Sequence, residues 1–248
     1  MFDYSELDLK NKLVKLGIKK GDIVFCHSNI GFFGKMKNCK NKDQLCKTFF
    51  KIIFKIIGTK GTLIVPTFTY SFFKKEKYNL NSASSMGIFS EWVRKKKSAL
   101  RTNDPNFSVS IIGNKKIFFS KTCNNNTYDK NSFFGKFHKL NGKILNFNFP
   151  GSTILHYYEK IIKVDYRFEK KFHGIVSPNK KEIWTVYSRY LRNNKNIHNP
   201  FKLMQRLRIK RKKNFVNLGK GEIFAIKSQE LFKFVKQNLK KNKNFLIS

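Results

Sequence analysis

Five short apolar runs, at residues 23–26, 62–65, 109–113, 143–147 and 222–226, constrain this chain more than any other feature. Runs this short and this uniformly apolar suit strands buried on both faces. Stretches with apolar residues at helical spacing separate several of them, at 5–16, 43–57, 132–140 and 228–240. Buried strands alternating with helices predict a layered α/β/α domain around a central mixed sheet. Further strands are expected at 115–120, 163–167 and 182–187, and a helix through Trp92 and Val93. No internal repeat is present, and the expectation is one domain over 1–248 with an irregular basic insertion near 193–213.

The stretch from 143 to 159 carries the most chemistry. Its apolar run is broken at Pro150 and Gly151, and Ser152 or Thr153 then offers a side-chain oxygen to cap a helix. Within that helix His156 and Glu159 lie three apart and share one face. A titratable pair at a helix start, just past a strand, stands where open α/β sheets place their ligands. A second polar loop, His27-Ser28-Asn29 and onward to Gly34, follows the run at 23–26, but it matches no phosphate-loop or dinucleotide fingerprint.

Charge bounds the partners. Fifty-two Lys and Arg against 15 Asp and Glu give a formal +37, a field that attracts polyanions. The lysines are spread along the length, and Asn, Ile and Phe are abundant throughout, so compositional bias accounts for much of that charge. The densest cluster, 206–213, reads as a solvated surface loop, with a phosphate patch as the alternative. No zinc-finger, RNP or helix-turn-helix signature accompanies it, so no specific nucleic-acid partner is expected. No apolar run approaches the ~20 residues of a spanning helix, and the acidic start lacks signal-peptide character, so a cytoplasmic protein is expected. Cys26, Cys39, Cys46 and Cys123 have no zinc or disulfide spacing and read as reduced structural thiols, with a catalytic Cys26 as the sharper alternative.

A family resemblance rests on an ordered series of pieces. These are Leu16-Gly17 with Gly21-Asp22 and His27-Ser28; Gly61-Thr62-Leu63 with Pro66-Thr67-Phe68-Thr69; Met86-Gly87; and Leu100-Arg101 with Pro105 and Ser108. Then come Ser132-Phe133-Phe134-Gly135, Gly142-Lys143-Ile144-Leu145, and Thr153 with His156 and Glu159. Together they resemble the aminoglycoside 3-N-acetyltransferase family, in its branch outside the GNAT fold. The closing segment, 219–238, is similar to that family's terminal strand and helix.

The resemblance implies acetyl-CoA as donor, no metal, and direct transfer of an acetyl group to the primary amine of a small molecule. His156 would be the general base and Glu159 its orienting carboxylate, or a ligand for the acceptor's ammonium. An ammonium near pKa 10 cannot attack a thioester until it loses a proton, which a neutral imidazole can take. His27, Ser28, Asn29, Arg101 and Ser108 would meet the cofactor, and Thr67, Thr69 and Asp104 the acceptor. Where the family's resistance enzymes read Ser-x-His-Pro-x-His-Ser, this chain has Thr102-Asn103-Asp104-Pro105-Asn106-Phe107-Ser108, with both histidines absent. That departure and the poverty in acid point to a neutral, mono-amino or phosphate-bearing acceptor such as an amino sugar. The alternatives are a true aminoglycoside acetyltransferase, O-acylation of a sugar hydroxyl, and a weakly catalytic basic-surface protein. His138, His173 and His198 read as surface residues, and a monomer or homodimer is expected.

Overall fold

The computed structural model describes residues 1–121, 124–191 and 198–247. It opens with α1 (Glu6–Lys15), started by a capping box in which Ser5 accepts from the Asp8 amide while the Asp8 carboxylate accepts from the Ser5 amide. Then follow β1 (Ile23–Ser28), a 3-10 turn at Ile30–Phe33, α2 (Lys42–Ile57), β2 (Thr62–Pro66), α3 (Ile88–Arg94), β3 (Leu100–Arg101) and β4 (Val109–Gly113). The next elements are α4 (Lys116–Ser120), α5 (Phe133–Lys139), β5 (Lys143–Phe147), α6 (Leu155–Ile162), β6 (Arg167–Val176) and β7 (Lys180–Leu191). Last come α7 (Pro200–Lys210), a 3-10 turn at Lys212–Asn214, β8 (Phe215–Leu218), β9 (Gly221–Lys227) and α8 (Ser228–Lys241).

Seven strands form one mixed sheet in the order β3-β4-β2-β1-β5-β9-β8, while β6 and β7 make a separate hairpin. β1 runs parallel to both β2 and β5, and the other pairs are antiparallel. Successive strand residues point to opposite faces, so each central strand feeds two cores. Val24 and Cys26 of β1 join Leu63, Val65, Leu145 and Phe147 against the buried faces of α1, α2 and α3. Phe25 turns the other way, with Ile64, Ile144 and Phe224, into a core closed by α5, α6, α7 and α8. The layered α/β/α expectation is met.

Residues far apart in sequence tie these layers together. Lys143, at the start of β5, places Nζ 2.7 Å from Asp22 Oδ2, and both side chains are largely buried. The hairpin docks through Phe72, Tyr78 and Trp184, and the Tyr78 amide donates to the Ile175 carbonyl at 2.9 Å.

Several expectations need correction. Residues 115–120, expected as a strand, form α4: β3 already occupies the free edge of β4, and only Phe119 of the run is fully buried. The segment expected to be irregular near 193–213 contains α7. Its start carries Pro200 in the first turn and an Asn199 side chain accepting from the Lys202 amide. Buried Leu203, Met204 and Leu207 give it an apolar stripe, and its charges face outward. The rest of the 193–213 expectation, at 193–197, lies outside the described residues, as does Cys123. Of the strand expected at 163–167 only Arg167 is extended, as the first residue of β6, and the residues before it are turn and irregular backbone; the strand expected at 182–187 lies within β7. Cys26 and Cys46 are buried free thiols and Cys39 is partly buried. No helix among the described residues is long and apolar enough to cross a membrane.

Candidate active site

The break after β5 turns the chain into α6, though not with the cap the sequence suggested. Ile154 is the N-cap and no side chain bonds there; the first turn instead closes on backbone bonds from Leu155 to Ser152 and from His156 to Thr153. The Ser152 hydroxyl is buried without a partner. His156 therefore sits in the first turn of α6 and Glu159 one turn on.

His156 Nδ1 lies 2.9 Å from Glu159 Oε2. The carboxylate is completely buried, while the imidazole keeps 16% of its side-chain surface open. The second oxygen, Oε1, accepts from the Tyr166 hydroxyl at 2.9 Å and lies 2.9 Å from Arg167 Nε. Burial pushes the Glu159 pKa up, but the hydrogen bond from His156 and the charges of His156 and Arg167 more than offset it, leaving it lowered. Glu159 is thus a buried carboxylate held beside the ring by partners on both of its oxygens. The edge of Tyr128 packs against the His156 ring at 5.7 Å between centroids.

Other parts of the site escaped sequence reasoning. Tyr166 and Arg167 lie where the chain enters the hairpin, at the end of a run read only as a strand. His198 is not a surface residue: its ring centroid is 5.2 Å from that of His156. Burial, then the neighbouring charge of His156, lowers its pKa to about 3. His138 is also half-buried, bonded through Nδ1 to the Ser228 hydroxyl at 2.9 Å, whereas His173 is exposed as expected.

At the end of β1, His27 pairs in register with Asn146 of β5. Its ring is buried edge-on to Phe25 at 4.4 Å and stacked on Phe149 at 5.5 Å. Burial lowers its pKa to about 3; Asn146 beside it opposes the shift slightly, yet neither ring nitrogen has a partner in hydrogen-bond geometry. Ser28 Oγ and Asn146 Oδ1 are likewise buried and unpartnered. Asn29 reaches across to the Asn148 carbonyl at 3.2 Å. A cavity of about 350 Å³ opens beside Phe149 and Pro150, with Phe201, Arg208 and Glu222 on its far wall.

The remaining sequence candidates do internal work. Arg101 donates to Ser108 Oγ at 3.1 Å and to the carbonyls of Leu80, Ser82 and Thr67 at 2.9, 2.5 and 2.5 Å. That commits the fork expected to meet a CoA phosphate. The Ser108 hydroxyl donates to the Thr67 carbonyl at 2.8 Å. Thr67 Oγ1 donates to the Ser108 carbonyl at 3.2 Å and Thr69 Oγ1 to the Pro105 carbonyl at 2.7 Å. Asp104 accepts from the amides of Asn106 and Phe107 and from Thr127 Oγ1, at 2.8, 2.7 and 2.6 Å. These residues brace the turn between β3 and β4, because buried polar groups at strand ends must be satisfied.

No curated protein matches the chain. Solved structures do. The chain is similar to the CoASH-bound binary complex of AAC-IIIb, with a TM-score of 0.79 at 15% identity over 96% of this chain and 97% of that one. It is similar to the apoenzyme of the aminoglycoside acetyltransferase AAC(3)-IVa, with a TM-score of 0.76 at 18% identity, over 99% and 92%. The YokD protein from Bacillus subtilis gives 0.74 at 17%, over 96% and 99%. At these identities the likeness is one of fold. The aminoglycoside 3-N-acetyltransferase family model matches residues 25–240. The chain belongs to the aminoglycoside 3-N-acetyltransferase family and is an acyltransferase that draws on acetyl-CoA.

Proposed function

We propose that this protein moves the acetyl group of acetyl-CoA directly onto the primary amine of a small molecule with few positive charges, such as an amino sugar, with His156 as general base. The observation that carries the reading is the 2.9 Å contact between His156 Nδ1 and a completely buried Glu159. With Nδ1 donating to the carboxylate, the lone pair of the ring lies on Nε2, on an imidazole that solvent and substrate can reach.

Becoming an amide costs the acceptor ammonium two protons. One goes to solvent; His156 takes the other as the C–N bond forms. The C–S bond breaks, and that proton passes to the CoA sulfur. Glu159, held by Tyr166 and Arg167, stabilises the imidazolium while it exists.

The residues at the strand ends suit the amide-bearing arm of the donor better than its phosphates. Ser28 and Ser152 present buried hydroxyls without partners, whereas four of the five N–H donors of Arg101 already serve acceptors inside the protein. Asn29 would flank the arm, and His27 would support it from beneath Phe149. The carboxylates nearby argue for the acceptor class. Glu159 and Asp104 are buried and fully engaged, so neither is available to a polycation, and the +37 field repels one at long range. Structures of AAC-VIa hold sisomicin, which keeps a true aminoglycoside in the test.

The test is release of CoA thiol with amino sugars, nucleotide-linked amino sugars and aminoglycosides, run beside His156→Ala. Turnover of amino sugars by wild type alone, with both proteins binding acetyl-CoA, is the expected result. Turnover confined to aminoglycosides would overturn the acceptor class, and full activity in His156→Ala would overturn the base.

A further inference from the structure

The stretch at 102–108 lacks both histidines of the pattern it resembles, yet the fold brings a second imidazole to His156 from elsewhere. His198 stands immediately before α7, and its position is fixed on both sides of the backbone. It bridges antiparallel to Ile247, and the next amide, Asn199, donates to the Leu246 carbonyl at 2.9 Å. Asn199 then caps α7. The ring so placed tilts 53° to that of His156. A nitrogen of His198, a nitrogen of His156 and a carboxylate oxygen of Glu159 all lie within 4.8 Å of one another. His198 Nε2 is buried and has no partner.

That spacing has a chemical meaning. Two hydrogen bonds of about 2.8 Å meeting at one water span roughly 4.6 Å, so a single bridging water or a small ring movement connects the groups. A neutral imidazole offers one donor and one acceptor there. We propose that His198 is the second imidazole of the active site, a positioning residue that accepts a hydrogen bond, directly or through one water, from the Nε2–H of the imidazolium formed at His156, in the interval before that proton moves to the CoA sulfur. The proposal rests on the general-base reading of His156. His198 neither gains nor loses a proton over the cycle, since the proton from the amine goes through His156 to the CoA sulfur. Its effect is to stabilise His156 in the charged state that the transition state creates.

The groups around His156 are Glu159, with Tyr166 and Arg167 behind it, the edge of Tyr128, and His198. Glu159 favours the imidazolium and Arg167 opposes it. His198 is neutral across the working range, so it acts by hydrogen bonding rather than by charge.

Two variants separate this role from packing. His198→Phe fills the space without a lone pair, and His198→Gln keeps an amide near the Nε2 position. The Phe variant is expected to lose about tenfold in kcat, the worth of one hydrogen bond to a charged group, with KM for acetyl-CoA within about threefold of wild type. The Gln variant recovers most of that loss. NMR titration of the His156 ring needs no turnover, and its midpoint should fall by about half a pH unit in the Phe variant relative to wild type. If the Phe and Gln variants have equal activity, or if the midpoint does not move, the proposal is overturned. A wild-type protein that acetylates no amine would defeat the acceptor reading instead, and the titration would still decide the role of His198.

Discussion

Glu159 is the residue on which the site converges, because its two oxygens meet His156 from its own helix and the adjacent Tyr166 and Arg167 from the entry to the hairpin. Replacing it by Gln keeps the shape and removes the charge. We expect kcat to fall by about 100-fold or more, since the His156 imidazolium loses its counter-charge. Stability should fall as well, by about 3 kcal/mol in urea unfolding, because the Arg167 side chain, only 2% exposed, loses the carboxylate charge 2.9 Å from its Nε. A Gln variant with wild-type kcat would remove Glu159 from the chemistry. Arg101 makes the opposite case. Its guanidinium serves four acceptors inside the protein, so Arg101→Lys should cost roughly 2–3 kcal/mol of stability while KM for acetyl-CoA stays within about threefold. A tenfold rise in KM with unchanged stability would return Arg101 to the cofactor. The pairing of His156 with Glu159 was legible in the sequence, because residues three apart on a helix must share a face. The duties of Arg101, Asp104, Thr67 and Thr69 were not, since residue type alone does not reveal which acceptor lies opposite a donor.

Among the elements, the β6–β7 hairpin stands apart from the main sheet yet supplies Arg167 to the site. It seats on Phe72 at a position where only glycine fits: a Cβ on Gly174 would lie 2.4 Å from Phe72 Cδ1. Gly174→Ala should therefore lower stability by about 1–3 kcal/mol, and kcat with it, as the hairpin shifts the Arg167 end. Thermal unfolding and kinetics measured side by side check this; an unchanged Tm would show that the hairpin yields at no cost. The elements that period and capping announce, α1, α2, α8 and the five central strands, form where expected. α4 and α7 were missed for different reasons. In α4 a run of Ile and Phe read as a strand, but β3 already pairs with the edge of β4 that it follows. In α7 the density of charge obscured a three-residue apolar stripe.

Across the whole molecule, acid should be the weak direction. His27 and His198 have folded pKa values of about 3, below the ordinary histidine value of 6.5. Between those limits the unfolded chain binds protons that the native protein does not, so stability rises with pH through this window and is lost on acidification. For His27 the loss from pH 7 to pH 4.5 is about 2–3 kcal/mol. Glu159, with its lowered pKa, adds to the same trend at the acid end. Urea midpoints at the two pH values should differ accordingly, and His27→Leu should flatten the slope; an equal slope in that variant would assign the acid sensitivity elsewhere. The sequence by itself determined the alternation of strands and helices, because side-chain periodicity is a local property that survives in one dimension. It also determined the His156–Glu159 pair, for the same reason. Only the tertiary structure decided that Asp22 meets Lys143, that Tyr166 and Arg167 hold Glu159, and that His198 stands beside His156. Contacts between residues distant along the chain depend on how loops close and layers pack, and no local pattern encodes them.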